Sequence, residues 1–268
     1  MAELLKTLLE PLEEINAYKT VAEDIEREKF PVHISGCIDT QKCHLIYGLS
    51  HSEHWRVIIA SNEIKAREIY DDYKLFDRDV LFYPAKDIIF FGADIQGSAI
   101  STERLKVVDA MLKNDSGTIV TTIDAGLDCI MDSQASKSSR FVIGETDIVN
   151  MDNLEKKLVD MGYERQTQVE KPGDFSVRGG ITDIFPITMD CPVRIEFFDN
   201  EVDTIRAFDV QSQRSIERMD KVEVTPAAEM TLSDEQLKAA LKKIEKEYQK
   251  MLEKFRKEKN HDAINRLT

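Results

Sequence analysis

Between residues 173 and 209 the apolar positions fall mostly two apart: Phe175, Val177, Ile181, Ile184, Val193, Ile195, Phe197, Val202 and Ile205. That period places side chains on alternate faces of strands. Gly173, Gly179–Gly180 and Asp199–Asn200 interrupt it as turns, so the segment predicts a β-meander. Upstream the pattern changes. Leu5, Leu8, Leu12 and Ile15 keep helical spacing. Short apolar runs at Val32–Ser35, Trp55–Ala60, Val80–Pro84 and Thr118–Ile123 predict strands. Helical patterns near Gln41–Leu49, Ile64–Tyr73 and Glu103–Leu112 separate them. Strands alternating with helices imply βαβ units and a parallel sheet.

A second domain begins with a strand at Phe141–Gly144 and a helix over Met151–Met161, with Asp152 as its N-cap and Leu154, Leu158 and Met161 turned inward. Gly162 ends that helix, and the meander packs against it. Val222–Pro226 is expected to return to the first domain. A capping box, Ser233 with Gln236, then opens a long helix. In it Leu237, Leu241, Ile244, Tyr248, Met251 and Phe255 form a seam at alternating four- and three-residue steps. Such a seam serves either docking along the first domain or a dimeric coiled coil. The polar sequence after it reads as the end of a fragment. The expected fold is α/β: a parallel-sheet, degenerate P-loop domain over residues 1–140, an inserted small α+β domain over 141–217, and a return with a long helix over 218–268.

Composition narrows the function. The chain has 268 residues, 42% of them apolar, and a net charge of −14. Neutralising nucleic-acid phosphates needs clustered Lys and Arg, so this balance argues against non-specific DNA binding. No apolar run is long enough to span a bilayer, and the opening MAELLKTLLEPLEE lacks the features of a signal peptide. Cys37, Cys43, Cys129 and Cys191 show no metal-knuckle spacing and suit reduced cytosolic thiols.

The turn GCIDTQKC, residues 36–43, sits where a phosphate-binding G-x-x-x-x-G-K-[ST] loop would lie. Gly36 and Lys42 match it. Gln41 replaces the second glycine and crowds the close approach of backbone to phosphate. Cys43 replaces the hydroxyl residue, and a thiol is a poor ligand for Mg²⁺. This reads as a P-loop that has lost its nucleotide, with a residual ATPase using Lys42 as the rival reading.

The wording of the meander carries a resemblance. An Arg-Gly-Gly turn (178–180), Asp-Ile-Phe-Pro (183–186), Arg-Ile-Glu-Phe-Phe (194–198) and Ile-Arg-Ala-Phe-Asp (205–209) are similar to the second domain of the excision-repair protein UvrB. They also resemble the related N-terminal module of bacterial transcription-repair coupling factors. The damaged P-loop favours the second family, as does a segment at 82–105 too short and too poor in tyrosine for UvrB's DNA-inserting hairpin. So does the Ser-x-Glu-Arg-Leu run at 101–105. The resemblance implies an adaptor that docks UvrA and performs no catalysis itself, with Arg165, Arg178 and Phe185 at the interface. It implies no cofactor for this chain, ATP being bound by a motor elsewhere in the family's full-length members. RNA polymerase and DNA would be met only through other regions. A cytoplasmic monomer is expected. Ser176 stands where UvrB often has a further arginine. Arg194 and Glu196 are expected to form cross-strand pairs within the sheet, and Arg206 is left open.

Overall fold

The computed structural model describes residues 2–50, 55–86, 94–128, 130, 133–229 and 234–258. The chain divides into two compact units, 1–138 and 139–268.

The first unit opens with helices α1 (Ala2–Glu13), α2 (Asn16–Glu26) and α3 (Asp39–Ser50). Then come β1 (Trp55–Ala60), α4 (Glu63–Tyr73), β2 (Leu81–Tyr83), α5 (Asp94–Lys113), β3 (Gly117–Thr122), α6 (Ile123–Leu127) and α7 (Ser133–Ser138). The three strands form one sheet in the order β1-β3-β2, both pairs parallel. Its core joins Ile58, Ala60, Phe82 and Val120 of the sheet to Cys43 and Tyr47 of α3 and Ala66 and Tyr73 of α4. On the opposite face of β1, Val57 and Ile59 stay exposed.

Several expectations change here. No strand forms at Val32–Ser35: the chain from Lys29 to Ser35 is irregular, reaching Gly36 at φ +84°. Ile123 starts α6 instead of ending β3, because the Thr122 hydroxyl accepts from the Ala125 N–H and caps the turn. Helix α5 begins nine residues before Glu103. Part of the segment judged too short for a hairpin, 87–93, lies outside the described residues, as do Cys129 and the Ser233 of the predicted capping box.

The second unit contains β4 (Phe141–Gly144), α8 (Met151–Asp160), β5 (Glu164–Arg165), β6 (Asp174–Arg178), β7 (Ile181–Ile184), β8 (Val193–Phe198), β9 (Glu201–Phe208), β10 (Ser215–Arg218), β11 (Lys221–Val224) and α9 (Asp234–Lys257). Six strands make one sheet in the order β10-β9-β8-β7-β6-β5, antiparallel except for the β5–β6 pair. The meander folds as its alternation predicts. Phe175, Ile184, Val193, Ile195 and Ile205 face the core, where Leu154 and Leu158 of α8 cover them. These two leucines are four apart and share a helix face.

The N-cap of α8 is Asn150, not Asp152: its side chain accepts from the Asn153 N–H at 3.0 Å, and Asp152 falls in the first turn, where the helix dipole favours an acid. At the other end Tyr163 N–H returns to Leu158 C=O across Gly162, φ +87°. A Cβ on Gly162 would stand 2.4 Å from that of Ala228, so only glycine fits. β11, expected to rejoin the first domain, instead pairs with β4, and Val222 and Val224 enter the second unit's core. The buried Tyr163 hydroxyl ties this return down by donating to Thr225 C=O at 2.8 Å. Burial pushes the Tyr163 phenol far above its ordinary range. In α9 the seam is exposed at Leu237, Leu241, Ile244 and Met251.

Candidate functional site: the outer face of the six-stranded sheet

Residues alternate between two faces, so the registers fix what lies opposite the α8-covered core. Ser176 pairs with Asp183, Asp183 with Arg194, Arg194 with Arg206, and Arg206 with Arg218. The next row runs Arg178, Ile181, Glu196, Thr204. Both rows lie on the outer face, because the residues next to them along their strands, Phe175, Ile184 and Ile205, are core.

Asp183 organises this face. It is 1% exposed. Its Oδ1 accepts from Arg194 Nε at 2.7 Å, and its Oδ2 accepts from Arg194 Nη2 at 2.9 Å and from Arg178 Nη2. The Arg194 contact is the two-pronged geometry that guanidinium and carboxylate favour. Arg194 also rests over the Phe208 ring, 4.5 Å from its centroid, and donates to Gln213 Oε1 at 3.2 Å. The Asp183 hydrogen bond pushes the Arg194 pKa up. Arg178 remains half exposed beside the Gly179–Gly180 turn. Glu196 accepts from the Thr204 hydroxyl at 3.0 Å. Arg194 and Glu196 thus make the cross-strand contacts expected of them. At the far edge Arg218 binds Glu145 through two hydrogen bonds, 2.9 and 3.2 Å. Arg206, between the two, has no ion pair among the described residues.

The three residues predicted for the interface separate. Arg178 is on the outer face, as alternation implied. Arg165, in the edge strand β5, stands in register with Phe175 and therefore on the α8 side, where it pairs with Glu155. Its side chain is about half exposed. Phe185 corrects the prediction: it is 6% exposed, and its backbone is bonded to Asp174 C=O and Gly173 N–H. A side chain so placed stabilises the sheet and offers no contact area. Sequence reasoning missed Asp183, although the Asp-Ile-Phe-Pro motif contains it. An acid at an outward position of an inner strand, opposite an arginine, was the available signal.

The 36–43 turn does not assemble a phosphate cradle. Helix α3 starts at Asp39, whose carboxylate accepts from Lys42 Nζ at 2.8 Å. Asp39 is held below the usual carboxylate range, first by that hydrogen bond. Gln41 Oε1 accepts from Ile38 N–H at 3.4 Å. Cys43 is buried among core residues, and burial raises its thiol pKa. Gly36 has open space around it, yet no strand leads into the turn. Lys42 and the helix N-terminus thus already face an acid of the chain's own.

Residues 142–230 match the family model described as the UvrB interaction domain. That span holds most of β4, α8, the six-stranded sheet and β11. Over 210 residues the chain is 34% identical to the transcription-repair-coupling factor of Bacillus subtilis, covering 78% of this chain and 18% of that protein. It is 28% identical over 254 residues to the same factor of Staphylococcus epidermidis, covering 94% of this chain and 22% of the relative. The resemblance is to the UvrB-like, N-terminal module of the transcription-repair-coupling factors. The relatives are named for coupling transcription to repair, and the matched domain is described as an interaction domain. The chain spans about a fifth of the length of these relatives. Among the described residues no helix is long and apolar enough to cross a membrane.

Proposed function

We propose that this chain is a non-catalytic adaptor that docks UvrA and thereby brings excision repair to RNA polymerase stalled at a lesion. One observation carries the reading: within the matched interaction domain, a chain of net charge −14 gathers four arginines onto one sheet face and braces two of them with a buried carboxylate. Arg and aromatic side chains are favoured at interface centres, and charge complementarity selects partners. Arg178 is the outer-face contact. Arg165 joins it if the partner wraps the β5 edge, since this strand borders both faces. Polymerase and DNA are met through other parts of a longer protein, and the module acts as a cytoplasmic monomer without nucleotide. A first unit related to a P-loop domain is part of the same proposal.

The test is binding of purified UvrA to this chain by calorimetry or surface resonance. Arg178→Ala should weaken binding at least about tenfold, a change of about 1.4 kcal/mol. Arg165→Ala should do the same only if the β5 edge is gripped. A folded chain with no affinity for UvrA, with or without ATP, would refute the adaptor reading.

A further inference from the structure

The outer face continues past its charged rows to an apolar end. The β8–β9 hairpin turns at Asp199, φ +58°, and the last pair before the turn is Phe198 with Glu201. Phe197 pairs with core Val202, so Phe198 points to the outer face. It is 80% exposed. On the other side of Glu201 the chain from Thr146 to Val149 runs alongside β9, and Ile148 bridges to Glu201. Ile148 is 85% exposed. Phe198, Glu201 and Ile148 therefore form one row, with the two apolar side chains about two strand spacings, roughly 10 Å, apart. The row lies two residues, about 7 Å, beyond Glu196. It also abuts the turn carrying Arg178: Phe197 N–H donates to Gly180 C=O at 2.7 Å, and a Cβ on Gly180 would sit 3.0 Å from the Phe197 carbonyl oxygen.

Single exposed apolar residues are ordinary on protein surfaces. Two of them in one row, held by a ladder and bordering an arginine face, are the arrangement of an interface centre with a charged rim. We propose that Phe198 and Ile148 are the apolar anchor of the docking face. The partner surface that fits is an apolar recess bordered by carboxylates, the recess receiving Phe198 and Ile148 and the carboxylates meeting Arg178 and Arg206. Arg206 is available for this because Asp183 and Glu145 take the arginines on either side of it. The inference rests on the UvrA-docking reading and names the chemistry of that site.

Purified UvrA is titrated onto the wild-type chain, Phe198→Ala, Ile148→Ala and Arg206→Gln, with melting curves on the same samples. Phe198→Ala and Ile148→Ala should each lose at least about tenfold in affinity with unchanged melting, since neither side chain is buried. Arg206→Gln should weaken binding and flatten its salt dependence. Ile148 lies outside the hairpin, so it keeps the test open should Phe198→Ala loosen the turn. Wild-type affinity in either apolar variant, while Arg178→Ala still weakens binding, overturns the anchor and leaves the docking reading standing. Binding insensitive to salt and to Arg206→Gln overturns the acidic rim. No binding by the folded wild-type chain removes the docking reading and the anchor with it.

Discussion

Asp183→Asn is the change to which the outer face should be most sensitive. The substitution keeps the shape of the side chain, removes its charge and turns an amide N–H₂ toward guanidinium donors. The carboxylate is 1% exposed and answers to two arginines. Removing one partner of a buried pair typically costs about 3–5 kcal/mol, because the remaining charge is left desolvated. The Arg194 side chain is 20% exposed, so most of that penalty falls on it. The Arg178 side chain is 49% exposed, and water replaces much of what it loses, as in surface pairs worth about 0–1 kcal/mol. The combined cost is about 3 kcal/mol. For a unit of this size that lowers the melting temperature by about 10 °C. Arg178→Ala, by contrast, should cost no more than about 1 kcal/mol. Replacing Arg194 with Met in the Asp183→Asn background should recover part of the loss, since the unpaired charge goes with it; a coupling of about 1–3 kcal/mol is expected from the double-mutant cycle. Denaturant or thermal melts of the four proteins supply the numbers. A stability change for Asp183→Asn within about 0.5 kcal/mol of wild type would mean that Asp183 is not the brace of this face.

Phe185→Ala should cost about 3–5 kcal/mol, read by the same melts, because it empties a buried site; retained stability with lost UvrA binding would restore Phe185 to the interface. Arg104, 0% exposed, donates to Pro84 C=O at 2.7 Å, lies 3.3 Å from Asp128 and stacks over Tyr83 at 4.1 Å; Arg104→Ala should therefore destabilise the first unit by about 3 kcal/mol or more, and a neutral melt would contradict that role. Glu145 is held below the usual carboxylate range, first by the Arg218 hydrogen bond; a depressed folded pKa stabilises the protein above the ordinary glutamate range and ceases to do so as pH falls through the lowered value. Arg218→Gln should raise the Glu145 midpoint in a carboxyl NMR titration, and an unmoved midpoint would reject the pairing. Calorimetry with Mg²⁺ and ATP should show no saturable heat, since Lys42 is engaged by Asp39; a heat abolished by Lys42→Ala would overturn this.

Legibility in the sequence followed the strength of local signals. The meander was readable because alternation in a sheet covered on one face is nearly obligatory: a one-residue slip of β8 alone would turn Val193 and Ile195 out of the core together. The parallel strands Trp55–Ala60 and Gly117–Thr122 were readable as short β-branched runs. Val32–Ser35 carries the same kind of run, but a strand needs a partner to take its backbone hydrogen bonds, and partners are not written locally. The same limit misplaced Val222–Pro226, whose composition suits either sheet and whose ladder with β4 spans about eighty residues of sequence. Asn150 against Asp152 was a choice between two good caps two residues apart, within the ordinary uncertainty of helix ends.

For the site, alternation gave the face of Arg178 correctly but said nothing of Arg165, because the parallel β5–β6 register follows from a loop that carries no pattern. Phe185 looked like an aromatic at a strand end, a position found both in cores and at interfaces; only its burial separates the two. Three arginines in register on neighbouring strands are a cost to the fold, since like charges directly opposite one another repel. The sheet offsets this at both ends, with Asp183 on Arg194 and Glu145 on Arg218, and leaves Arg206 between them. Stability alone would favour an uncharged residue at that middle position, where a threonine like Thr204 one row away would repel neither neighbour. A retained charge there is economical only if something outside the chain supplies the missing carboxylate. Among the described residues the chain's own large excess of acids does not supply it, although Glu145 is near enough for Arg206 to lower its pKa. The repulsion left in the row is thus the physical reason to look for an acidic partner at Arg206, and its release on binding would appear as a Thr substitution there that stabilises the free chain while weakening the complex.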